Sequence, residues 1–536
     1  MHRILCITLM ISLCLSCQKK KNLASEDPRH TLRMAILAEP MHLDPRKGAD
    51  VTSSQLQFML FEGLTRLHAD GTIELGQSHK IDVTKDQKTY TFHLGKTTWS
   101  DGSIVTAYDF EKAWKDILSP YFPAPNAHLL YPIKGALSAK TGTIDMSEVG
   151  ISAPDPYTLI IELENPTPYF LQLISFCTFF PVKSGLDEQT PSLAYTTTTA
   201  FINNGPFCLQ EWKHDDLLIL IKNTRFRAPE EVYLEKIQLQ VIPSELTAIQ
   251  MYENGDLDFI GNPFCSLPAE EISAAMQKGT LHITPAAATT FISLNTEGSL
   301  FKNRHLRKAF AYAINREELV RHISPLQEVI ATDAIPPILK NNQVRHLYTD
   351  NKPKLAQMHL KQALLELNLT KKDLEGLCFL YAKVEDHHKM AQAIQQQILK
   401  TLGIRIQLQS LESKTLLSKL STRDYSLALS VWRAQFSDPI SILERFKHKK
   451  NVKNYPGWQN LSFQQLLEES TYYTGDDRQR LLDRAEEILL DEFPVIPLYH
   501  WNLCFCKKDH LTNIELSPVG GIFFERLMIK ERTDKT

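Results

Sequence analysis

This sequence predicts a mixed α/β protein with more than one core. Three observations carry that prediction. Short alternating apolar runs interleave with stretches of helical spacing along the whole chain, no fixed repeat period recurs, and 536 residues exceed what a single hydrophobic core organises. The first segment, MHRILCITLMISLCLSC, has Arg3, an apolar run from Ile4 to Leu15, the small Ser16 and then Cys17. The run is too short to span a bilayer and reads as an export signal (1–17). A small residue directly before Cys17 fits lipoprotein processing, in which Cys17 is acylated and becomes the new N-terminus. The match is relaxed, because Cys14 stands three residues before Cys17, where a Leu is usual. Cys14 and Cys17 spell CxxC inside a leader to be removed, so no redox role follows. Residues 18–30, polar and aperiodic, form a tether.

The folded elements follow in order. TLRMAI, from Thr31, alternates as a strand and runs into a turn marked by Pro45 and Gly48. Leu56, Met59, Leu60 and Leu64 are spaced for a helix. TYTFHL alternates again and breaks at Asp101-Gly102, after which Phe110, Ala113, Trp114 and Ile117 share one helical face behind a Thr106/Asp109 capping box. TLIIELE and LLILIKN are strands, and ELTAIQMYEN is a helix stopped by Gly255. RHLRKAFAYAINREELVRHI is an amphipathic helix, and DDRQRLLDRAEEILLDEF a long one closed by Pro494 before another strand.

Net charge is −3 and the isoelectric point near 6.7, so no basic excess points to nucleic acid. Beyond the leader remain Cys177, Cys208, Cys265, Cys378, Cys504 and Cys506; export permits pairing, apolar surroundings favour free thiols, and one sequence does not decide. Motifs for catalysis or phosphate binding (GxSxG, HExxH, GxGxxG, GxxxxGK[ST]) do not occur. Glu385-Asp386-His387-His388 is the one dense set of potential metal ligands and reads as a solvated helix start. Glu270-Glu271 and Glu486-Glu487 read as polar helical faces. The sequence therefore predicts neither an enzyme nor a metal or other cofactor.

The order of segments carries more. AEPMHLDP (38–45), FEGL (61–64), TYTFHLGKTTWSDGSIVTAYDFEKAW (89–114) and VGISAPDPYTLIIELENPTPYFLQLI (149–174) come first. NNGPFCLQEW (203–212), ENGDLD (253–258), RHLRKAFAYAINREELV (304–320), AQAIQQQILKTLGIRIQL (391–408) and FPVIPLY (493–499) follow. In this order they resemble the family 5 extracytoplasmic solute-binding proteins, the oligopeptide- and dipeptide-binding components of peptide ABC transporters, and within them the chlamydial type of oligopeptide-binding lipoprotein. The resemblance implies a two-lobed periplasmic-binding-protein clamshell, type II of the peptide-binding subclass, with an additional small domain. Lobe I would take 31–52, 181–290 and 502–536, the appended domain 53–180, and lobe II 291–501. It implies a peptide ligand, permease subunits as partners, a lipid anchor on a bacterial membrane facing the periplasm or extracytoplasmic space, and a monomer. WSDG and TAYDF would hold the appended domain's fold.

By the same resemblance, Glu39, Met41, Phe291, His387, Val431, Trp432, Arg433, Ala434, Gln435 and Asp438 are the candidate ligand-binding residues. Trp432 would lie beside the ligand or simply pack its lobe, Phe291 would form a wall, and His387 would sit near ligand side chains. The position of Gln435 is commonly an Asp that pairs with the peptide's α-amino group. A neutral amide accepts a hydrogen bond from an ammonium but does not neutralise it. Asp438 or Glu39 could supply the charge, the amino end could stay solvated, or the ligand could lack a conventional N-terminus. A relocated or weakened anchor is favoured. Leu420 and Leu429 stand at usually basic positions and Ser413 at a frequent Trp, so a less charged pocket is expected. The rival readings are a non-standard ligand on the same fold (a cell-wall-derived or modified peptide, glutathione, a metal chelate or haem) and a secreted peptidase.

Overall fold

The computed structural model describes residues 30–530 except 49, 69, 185–200, 341 and 518. Cys17, the leader and the tether up to residue 29 lie outside the described residues. After strand β1 (Thr31–Ile36) come α1 (Val51–Leu60), the hairpin β2 (Thr65–Leu67) and β3 (Ile73–Leu75), then β4 (Ser78–Val83), β5 (Thr89–Leu94), α2 (Ala107–Leu118), β6 (Ile151–Asp155) and β7 (Thr158–Glu162). The last four strands form an antiparallel sheet ordered β4-β5-β7-β6. Helix α2 buries Phe110, Ala113, Trp114 and Ile117, the face its spacing predicts. Its capping box closes as expected: Asp109 accepts from the Thr106 backbone N–H at 2.8 Å, and its Oδ2 also receives the Trp99 Nε1–H at 3.3 Å. WSDG and TAYDF are thus one structural unit.

Further strands are β8 (Phe207–Lys213), β9 (Leu217–Lys222), β10 (Lys236–Val241), β11 (Phe259–Gly261), β12 (Leu281–Leu294), β13 (Val329–Ile330), β14 (Cys378–Ala382), β15 (Gln407–Leu411), β16 (Leu427–Arg433) and β17 (Val495–Lys507). With β1 they make one sheet of 11 strands, ordered β15-β14-β16-β12-β17-β11-β1-β10-β9-β8, with β13 on β17. This is the mixed α/β, two-lobed architecture. Two long antiparallel strands, β12 and β17, run through both halves. Their register holds from Leu281↔Cys506 to Pro285↔Asn502, breaks, resumes at Thr289↔His500, and shifts once more between Thr290↔Tyr499 and Phe291↔Pro497 before running to Ser293↔Val495. Pro285 has no N–H to donate, and the Ala287 carbonyl turns away to accept the Ala434 N–H at 2.7 Å.

In the second half, α3 (Arg304–Ala313), α4 (Arg316–Ile323), α5 (Pro353–Leu367), α6 (Glu385–Leu402) and α7 (Gly475–Glu492) surround the sheet. The amphipathic stretch read as one helix is two. Asn315 leaves helical geometry and its side chain accepts from the Glu318 N–H, capping a new start. Glu486 also departs from expectation: it is fully buried, takes the backbone N–H groups of Ala334 and Ile335 at 2.8 Å each, and pairs with Lys340. All six cysteines among the described residues are free thiols.

Candidate functional site

The sheet is incomplete along one edge. Strand β14 pairs with β16 only at Leu427 and Ala428, whereas β12 covers the other edge of β16 as far as Arg433. From Leu429 onward the outer edge of β16 has no strand neighbour among the described residues. Such an edge offers N–H and C=O groups to an extended chain. Beyond it, the Gln435 N–H donates to Ser441 Oγ at 3.0 Å, which turns the chain into a loop. Trp432 is only 1% exposed, with its ring 5.1 Å from Phe291, 4.4 Å from Phe446 and 6.1 Å from Tyr455. Trp432 thus packs among these rings, and its indole Nε1–H is buried with no acceptor.

The loop after β16 reaches across to the first part of the chain. Gln435 Nε2 donates to Asn126 Oδ1 at 3.4 Å, and the same amide is hydrogen-bonded with the His128 ring. Phe436 stacks on Tyr169 with centroids 5.1 Å apart. Beside Gln435 opens a small cavity of about 50 Å³, lined by Phe58, Phe61, Arg66, Phe176 and Phe180 together with Val519, Gly521, Ile522 and Phe523. Gln435 thus holds the two halves of the molecule together as well as facing the cavity.

Neither carboxylate considered as a replacement for the one missing at 435 is free. Asp438 receives both terminal nitrogens of Arg478 at 2.8 Å each, and the Ile440 N–H at 2.9 Å. Glu39 accepts from Trp212 Nε1 and the Asp215 N–H at 2.9 Å each and pairs with His214 at 3.2 Å; burial raises its carboxyl, but these bonds more than offset that and leave it below its ordinary value. Met41 follows β1 on an irregular segment and is 58% exposed. His387, in the first turn of α6, is half-buried with Nδ1 unpartnered, and burial lowers its titration point. Sequence reasoning missed Glu328. Its Oε2 is buried without a partner, and burial with the nearby Asp386 charge pushes the carboxyl up to about 7.

Cations gather near the loop that follows β16. Leu420 and Leu429 are indeed buried in apolar packing, but cations arrive from elsewhere. The Arg433 guanidinium lies over the Trp501 ring at 5.7 Å, and that of Arg445 over Trp432 at 5.5 Å. Burial lowers Arg433, takes Arg445 down to about 10, and with the Arg445 charge takes Lys453 down to about 8. Across the gap, burial and the charges of Lys453 and Arg445 push His128 down to about 3. None of the three cations forms an ion pair with a carboxylate among the described residues. In sequence, Lys453 sits in KHKKNVKN, which reads as a solvated charge run.

Comparison with known proteins gives one consistent answer. Residues 73–454 match the bacterial extracellular solute-binding proteins, family 5 Middle. The chain is 35% identical over 505 residues to the oligopeptide-binding protein OppA of Bacillus subtilis, covering 93% of each chain. It is 32% identical to the dipeptide-binding protein DppE of the same organism, over 90% of this chain and 89% of that one. Among solved structures, Haemophilus influenzae OppA in complex with RPPGFSPFR superposes with a TM-score of 0.81 at 24% identity, over 94% of this chain and 99% of the other.

Proposed function

This chain belongs to the bacterial extracellular solute-binding proteins of family 5, and on that premise we propose that it captures oligopeptides between its lobes and delivers them intact to the permease of an ABC importer. The family consists of binding proteins rather than enzymes. The observation that carries the reading is the open edge of β16 from Leu429 to Arg433, next to a cavity that reaches Gln435. A peptide added there gains main-chain hydrogen bonds that are indifferent to its side chains. Leu429 and Val431 supply that edge; Arg433, Ala434 and Gln435 follow with the Arg433 carbonyl held by Arg445 and the Gln435 N–H by Ser441, so they would meet the peptide through their side chains, as would the exposed Met41.

Lobe I takes 31–52, 181–290 and 502–536, the small domain 53–180, and lobe II 291–501. The break in the β12–β17 ladder lies at the lobe border and lets the halves swing onto a guest. Export and acylation at Cys17 tether the protein to a membrane surface on the extracytoplasmic side, where it works as a monomer.

Native mass spectrometry of protein purified without refolding tests this: peptides should co-purify, and added peptide should be recovered uncut. Small-angle scattering should show a smaller radius of gyration at saturation. Recovery of cleaved peptide, or a radius that does not change, would overturn the proposal.

A further inference from the structure

Trp432, Arg445 and Lys453 lie close together, bringing positive charge and an N–H donor to one place, and no carboxylate among the described residues pairs with them. Arg445 Nη2 donates to the Arg433 carbonyl at 2.6 Å and its Nε to the Ser441 carbonyl at 3.4 Å, which fixes the guanidinium over Trp432. The Lys453 backbone is set by a turn in which its N–H donates to Asn451 Oδ1 at 2.9 Å. Trp432 Nε1–H is enclosed with no acceptor. Around them, Asp438 is occupied by Arg478, Gln435 is neutral, and His128, pressed by both cations, is uncharged near neutrality. Buried cations and donors left without acceptors are costly. The atom that would satisfy all three is a carboxylate oxygen, and the chain keeps one out of this space by carrying Gln at 435.

Resting on the peptide-binding reading, we propose that Arg445, Lys453 and the Trp432 indole form a carboxylate subsite, so that the protein selects peptides with an anionic group at this point of the cleft. The group is either an acidic side chain or the peptide's own α-carboxylate. Arg445 supplies a planar fork for two oxygens, Lys453 a point charge, and the indole a single directed N–H. The neutral His128 ring, already close to both cations, would help exclude water and strengthen the contact.

Isothermal titration calorimetry with alanine pentapeptides distinguishes the two sources: one set carries Glu or Gln at each position in turn, the other has a free or amidated C-terminus. The expected result is binding about tenfold or more tighter for Glu over Gln at one position, or for free acid over amide. That preference should be lost in Arg445→Met and in Lys453→Gln, with circular dichroism verifying the fold. The wild-type comparison stands even where a variant does not fold. Equal binding of acid and amide forms throughout would overturn the subsite and leave peptide capture intact; no binding of any pentapeptide would overturn both.

Discussion

Two regions of the molecule that meet near Gln435 treat charge in opposite ways. Around Arg66, which lines the cavity, charges meet one another: Arg66 pairs with Glu62, Glu74 and Glu525, and Arg227 with Glu62. Around the loop that follows β16, Arg478 and Asp438 satisfy each other, but Arg433, Arg445 and Lys453 do not find an acid among the described residues. Paired charge supports the fold, and the unpaired charge is what the proposed carboxylate subsite would use. The difference teaches which ionic residues to mutate for stability and which for binding.

The largest effect is expected from Arg66→Met, which strips two nearly buried acids, Glu62 and Glu525, of a partner. The cost is about 3–5 kcal/mol in urea denaturation. Arg478→Met should cost a similar amount by stranding Asp438, and Asp438→Asn in the same chain should recover most of it. If Asp438→Asn alone instead abolished peptide binding at unchanged stability, Asp438 would belong with the unpaired set and the contrast would fail. Arg445→Met should be neutral or mildly stabilising, because an uncompensated cation is removed from a buried place.

Gln435→Asp should supply from within the chain the acid that Arg445 and Lys453 lack. His128 would then titrate above its present value of about 3, as read by NMR, and acidic peptides would bind less tightly. A separate effect, spread over several pH units, is on the pH dependence of stability. His128 and His500 are both held near 3, against 6.5 for a free imidazole, each chiefly by burial. Between those values the unfolded chain holds protons that the folded one refuses. Stability is therefore full above about pH 6.5 and declines as pH falls, by at most about 1.4 kcal/mol per unit for each ring, levelling near 3. An acidic guest should flatten the share due to His128.

Much of this fold was legible because its local signals agree with its global ones. Thr106 and Asp109 are three residues apart and form the cap their spacing implies; Gly255, at φ 84°, ends its helix as glycine can. Trp432 was legible as the aromatic end of an alternating run. The site's charges were not. Asp438 and Arg478 are 40 residues apart and Glu39 and Trp212 173, and no periodicity announces such pairings. Arg445 and Lys453 are hidden for the reverse reason. In sequence they are members of a basic stretch that belongs in water, and only the turn from Ser441 to Trp458 folds them under Trp432.

The chain crosses between its halves along β12 and returns along β17, and the two crossings lie side by side, bonded to each other on either side of the gap at Pro285–Thr289. Two threads laid together make a single pin. In the proposed closing motion a body joined that way would rotate about one line and resist sliding, so its jaw would travel along an arc with one mechanical freedom. Because β16 is stitched directly to β12, a peptide added to its bare edge would lie one strand away from the axle.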